Sequence, residues 1–165
     1  MKYLTILFAL GFLMQSCSEQ KTDDKNYVLL QKKVDSLSTM LAKIKPGLGE
    51  MMSMIQLHHE KLWFAGINGN WKLADFEINE IKEAVAQATA VETDRPEIKS
   101  LPILKPAIDS VSKAIGAHNI EQFKYSYGEL SATCTYCHKT HYFEFNVIRE
   151  PSGTPVTDQE FAPGR

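Results

Sequence analysis

Disulfide cross-linking has little to work with in this chain: only three cysteines occur in 165 residues, and two of them share one short run. A small secreted fold held by bridges needs more. A basic cluster is also lacking. With 18 Lys and Arg against 20 Asp and Glu and a formal net charge of -2, there is no electrostatic footprint for nucleic acid. The chain has no Gly-rich strand-to-helix turn of the dinucleotide kind. Paired carboxylates, an activated serine and a phosphate loop cannot be assembled into one shared site, so the sequence does not read as an enzyme. Beyond the N-terminus no segment is apolar for long enough to span a bilayer, which takes about 20 residues.

Long apolar sequence is confined to the start. Lys2 supplies a short positive region and Leu4 to Met14 is almost unbroken apolar sequence, the pattern of a secretory signal over residues 1–16. Met14-Gln15-Ser16-Cys17 resembles a bacterial lipoprotein cleavage box, with Met14 in place of the usual leucine. The expectation is lipidation of Cys17 and a protein anchored in the periplasm or cell envelope. Ordinary cleavage nearby would instead leave an exported protein with a spare cysteine.

Residues 17–26 are polar and aperiodic and read as a tether. Over residues 27–45 an apolar seam appears: Leu30, Val34, Leu37, Leu41 and Ile44 alternate four and three apart. Fewer than three heptads are present. Pairing into a homodimer, packing on the chain's own domain and a semi-rigid stalk all remain open. Pro46 and Gly47-Leu48-Gly49 then break the helix.

The spacing predicts four further helices over residues 47–142. The first runs from about Leu48 to Asn68, with Leu48, Met51, Ile55, Leu62 and Gly66 inward and Met52, His58 and His59 at the edges of that stripe. Asn70 can cap the second, running to about Thr89, with Leu73, Phe76, Ile81 and Val85 inward and Glu77, Glu80 and Lys82 facing water. Val91 to Pro102 reads as a loop. A third helix runs from Ile103 or Leu104 to Ala117, its start drawn toward Pro106. Asn119 with Gln122 three residues on makes a capping signal for the fourth, which carries Phe123, Tyr127 and Leu130. The fold expected is therefore all-α: a four-helix bundle with an additional N-terminal helix and an extended strap over residues 143–165. Burial of Phe143, Phe145 and Val147 in that strap would shield one side of a cofactor.

The fourth helix ends in Cys134-Thr135-Tyr136-Cys137-His138, the attachment signature of a c-type haem. Two cysteines three apart on a helical turn can both reach haem vinyl groups and form thioethers. The next residue, His138, is then directed at the iron. A dithiol of the thioredoxin kind belongs beside a strand-to-helix unit that is missing here. A zinc site would need a further ligand, from His141, His58 or His59, and normally draws on paired motifs. His141 and Lys139 read either as neighbours of a haem propionate or as surface residues.

With that motif closing a fourth helix, the stretch Ala117 to His138 resembles the final helix of the class II c-type cytochromes, the four-helix cytochrome c prime group. The stretch Met52 to Glu83, with His58, His59, Leu62, Trp63, Gly66, Asn70, Trp71 and Phe76, resembles a set of small exported cytochrome-like proteins. The resemblance covers roughly Gly49 to Phe161; the helix before it and the tail after it are departures. It implies one covalent haem packed between helices, with the first bundle helix on its distal side. Members are either five-coordinate and bind small gases, such as NO and CO, or six-coordinate and shuttle electrons to redox partner proteins.

The sixth ligand therefore decides the function, and Met51, Met52, Met54, His58 and His59 all lie on the distal helix. Met54 points away from the inner stripe and Met51 is the most central methionine, though plain core filling suits such side chains. Adjacent residues diverge by about 100° on a helix, so His58 and His59 cannot both face the iron. Histidine is expected over methionine, and His59 over His58.

Overall fold

The computed structural model describes residues 20–156 and 158–164. The leader expected over residues 1–16 and the lipidation expected at Cys17 lie outside the described residues. Among the described residues there are five α-helices, one 3-10 segment and no strand, in the order α1 Gln20–Ile44, α2 Leu48–Ile67, α3 Trp71–Val91, the 3-10 segment Pro96–Leu104, α4 Lys105–Gly116 and α5 Ile120–Thr140. The fold is all-α. Two compact units meet in sequence at Lys45 and Pro46; α1 belongs to the first and the remaining elements to the second.

The first unit departs from the expected tether, because α1 is already helical at Gln20. Residues 20–26 have no glycine or proline, and Gln and Lys lose little on entering a helix. Once the apolar seam has nucleated a helix, each added residue gains a hydrogen bond, so a polar stretch can be helical without periodicity. Pro46 disfavours helical geometry at the residue before it and stops the extension.

In the second unit α2 packs on α3, α3 on α4 and α4 on α5, and α5 returns to α2 to close a four-helix bundle. The anticipated stripes form its core: Leu48, Met51, Ile55 and Leu62 from α2, Ile108, Val111 and Ile115 from α4, and Phe123, Tyr127 and Leu130 from α5 are buried. Helices α2 and α5 are in tight contact at Gly66, where any Cβ would overlap the Phe123 ring. Both predicted caps are made. Asn70 Oδ1 accepts from Leu73 N–H at 3.3 Å, and Asn119 Oδ1 accepts from Gln122 N–H at 3.0 Å.

Three expectations need correction. Helix α3 presents Ala74, Glu77, Ile78, Ile81 and Ala88 to the core, whereas Phe76 is half exposed. The two alanines let α3 approach its neighbours closely, and the helix rotates to use them. The stretch expected as a loop up to Pro102 is a 3-10 segment from Pro96 that buries Ile98, Leu101 and Leu104. Proline suits its first position, and the tighter winding brings residues three apart onto one face. In the tail, Phe145 and Val147 are exposed, while Phe161 is buried against Phe64 with ring centroids 5.6 Å apart. The strap is thus pinned near its end rather than by its alternating aromatics.

Candidate functional site

The last turns of α5 carry the cysteine motif, and the chain beyond Thr140 folds back upon them. Tyr142 adopts φ 64°, turning the chain out of the helix, and Phe143 N–H donates to His138 O at 2.8 Å. Thr135 then clasps the returning segment in both directions: its Oγ1 accepts from Ile148 N–H at 3.0 Å and donates to Ile148 O at 3.2 Å. This clasp holds the Asn146 carbonyl 2.8 Å from His138 Nδ1. A carbonyl can only accept, so Nδ1 carries the proton and Nε2 is left with its lone pair. An imidazole oriented by a backbone carbonyl in this way is the usual arrangement of a metal-binding histidine.

A cavity of about 310 Å³ opens beside the motif, lined by Cys134, Cys137 and His138 together. Leu48, Met52, Ile55 and His59 of α2 form one wall, and Leu101 and Leu104 of the 3-10 segment another. Phe143, Asn146 and Ile148 bring the strap into the lining. Predominantly apolar walls with few polar groups are the usual make-up of a cofactor pocket. Cys134 is held as a neutral thiol: burial, and then the neighbouring Cys137, push its pKa up to about 12. Burial, and then the charge of Glu97, push Cys137 upward too. Neutral thiols are poor at thiol–disulfide exchange and must lose protons before binding zinc. Two cysteines and a histidine lining one largely apolar cavity are the residue types that attachment of haem requires.

Polar residues gather at one side of this cavity. Arg95 and Glu97 line it and pair through Nη2 and Oε1 at 2.8 Å. That pairing lowers the Glu97 pKa and raises that of Arg95. His141 also lines the cavity, and its Nε2 lies 2.8 Å from Ser100 Oγ. Spacing singles out His141 but not Arg95, whose place in the wall comes from the unexpected 3-10 segment.

The residues expected on the distal side have other partners among the described residues. His59 is buried at the edge of the cavity, but both ring nitrogens are committed. His59 Nε2 lies 2.9 Å from Ser131 Oγ, which donates to Tyr127 O at 3.0 Å. His59 Nδ1 lies 2.8 Å from the Tyr127 hydroxyl, which donates to His59 O at 2.9 Å. The rings of His59 and Tyr127 stack with centroids 4.3 Å apart. Burial pushes the His59 pKa down to about 4 and, with nearby Glu60 the next contributor, raises that of Tyr127.

His58 turns to α3 instead. Its Nδ1 lies 2.7 Å from Oε2 of Glu77, a fully buried carboxylate whose Oε1 has no hydrogen-bond partner. The sequence pattern puts Glu77 on the solvated face, and α3's rotation is what buries it. Met51 is sealed in the core. Of the distal candidates on α2, Met52 is the one that lines the cavity with no competing hydrogen bond. Among the described residues no group of three or more His, Cys, Asp or Glu is arranged to hold a metal ion. No helix of the described residues is long and apolar enough to cross a membrane. Comparison with protein-family models, curated proteins and solved structures returned no match.

Proposed function

We propose that this protein is a c-type cytochrome of the four-helix, class II kind, carrying single electrons outside the cytoplasm through one covalently attached haem. The observation that carries the reading is the joint presence of Cys134, Cys137 and His138 on one apolar cavity, with the Asn146 carbonyl leaving His138 Nε2 as the free nitrogen. Haem supplies the one-electron couple when bound. The chain's part is to hold and shield it. Both thiols would form thioethers, and His138 would supply the proximal nitrogen. Leu48, Ile55, Leu101 and Leu104 exclude water from the cavity, which favours the less charged state of a redox centre. Arg95 stands where a propionate could be neutralised. The lipid on Cys17 would keep the carrier at the envelope surface, where its redox partner proteins act.

In this reading Met52 would be the side chain available as sixth ligand, and His59 serves as a structural hydrogen-bonding residue. A second reading draws on a specific observation: both histidines of α2 are tied to other side chains, which favours an open iron able to bind NO or CO. A structural zinc site gains no support from the geometry of the described residues. Ferric and ferrous spectra of the protein matured in a host that assembles c-type cytochromes separate the readings. Closure by Met52 predicts a low-spin spectrum with a sulfur-to-iron band in the ferric state, lost in Met52→Leu, which becomes high-spin and binds carbon monoxide. A high-spin wild type that binds carbon monoxide readily would instead establish the open iron. A protein without haem would refute both.

A further inference from the structure

Helix α1 carries an apolar seam that is still open to solvent. Tyr27, Leu30, Val34, Leu37, Leu41 and Ile44 are 47–76% exposed, on a helix of 25 residues. Their alternating spacings of three and four place Tyr27, Val34 and Leu41 at one set of coiled-coil core positions and Leu30, Leu37 and Ile44 at the other. We infer that α1 is the dimerisation element of this protein and that its occupant is α1 of a second copy, aligned in parallel.

Four observations select that occupant. The seam repeats at two positions in seven over its whole length, the period of a coiled-coil core, whereas exposed Val28, Leu29 and Met40 beside it do not repeat. It is self-complementary, since each core layer meets its own counterpart when two copies align in register. The flanking positions oppose Asn26 to Gln31, Lys33 to Ser38 and Met40 to Lys45, so no like charges are brought together. Burying six such side chains from each copy would take roughly 1,200 Å² out of water, at the lower edge of a specific interface. The parallel direction rests on the reading of Cys17 as a lipid anchor, which puts both N-termini in one membrane plane. Tethering there also raises the effective concentration of a pair this short.

The test uses the haem-loaded chain with Cys17→Ser, to keep it free of detergent, in sedimentation equilibrium at high micromolar concentration. The wild-type seam is expected to give twice the chain mass, and Leu37→Asp a single chain. Lys32→Asp, on the opposite face of α1, is expected to stay dimeric. The haem absorption of each variant confirms that the bundle is intact, and the mass measurement stands whether or not haem is attached. A wild type of single-chain mass, or a Lys32→Asp that dissociates as Leu37→Asp does, would overturn the dimer. Direction is read by Leu30→Cys under mild oxidation. Parallel helices give a cross-linked pair, because Leu30 meets Leu30, and a dimer that fails to cross-link would overturn the parallel arrangement.

Discussion

At His59 a ring that the helical wheel turns inward is hydrogen-bonded through both nitrogens to Ser131 and Tyr127 of α5. Unfolded, such a histidine takes its proton near pH 6.5; folded, burial delays protonation to about pH 4. Between those values the unfolded chain binds more protons. Stability from this residue is therefore complete above about pH 6.5 and is lost as the pH falls toward 4, with an upper bound of about 3 kcal/mol. Urea unfolding of the wild type across that window should show the decline, and His59→Gln should flatten it. His58 makes a different prediction. Its removal leaves the fully buried Glu77 carboxylate without its partner, so His58→Ala should cost about 3 kcal/mol in urea unfolding. The haem spectrum of the folded fraction should stay as it was. A coordination change in His58→Ala would return that residue to the list of ligands. The cysteine motif was legible at this scale because Cys134, Cys137 and His138 fall within five consecutive residues. The distal side was not. Whether a histidine is a ligand or a hydrogen-bonded core residue depends on partners such as Tyr127 and Ser131, which are remote from it in sequence.

The elements were legible where hydrophobic period and capping chemistry agree. Asn119 shows this: its side chain satisfies one of the orphaned N–H groups that begin α5, and the capping pattern announces it. Asn119→Ala should lower stability by about 1 kcal/mol, read as a shifted urea midpoint at constant slope. Gly66 tests the helix pairing. Since a Cβ there meets the Phe123 ring, Gly66→Ala should cost about 1–3 kcal/mol in urea unfolding despite alanine's better helix propensity. A neutral or stabilising result would mean that α2 and α5 do not approach as described. The 3-10 segment escaped sequence reading because prolines at 96 and 102 and a short apolar spacing signal a loop equally well. Its winding is decided by the core space that Ile98, Leu101 and Leu104 fill. The rotation of α3 was hidden for a similar reason, since small alanines give a weak signal in a hydrophobic pattern yet permit the closest packing.

For the whole molecule, the bundle and the strap together make the cavity. Helix α5 supplies the thiols and His138, α2 the opposite wall, the 3-10 segment a polar corner, and the clasp at Thr135 the carbonyl that orients His138. The bundle could be inferred from four amphipathic stretches with short links. The carbonyl of Asn146 could not, because a backbone acceptor has no residue-specific signature. We propose that this cavity holds one haem through two thioether bonds. It is tested most directly by intact mass spectrometry under denaturing conditions, on protein exported from a host that matures c-type cytochromes. The expected result is a chain heavier by the mass of one haem, stable to denaturant and acid, with two-point attachment lost in Cys134→Ala and in Cys137→Ala. A mature wild-type chain of unmodified mass at both cysteines would contradict it.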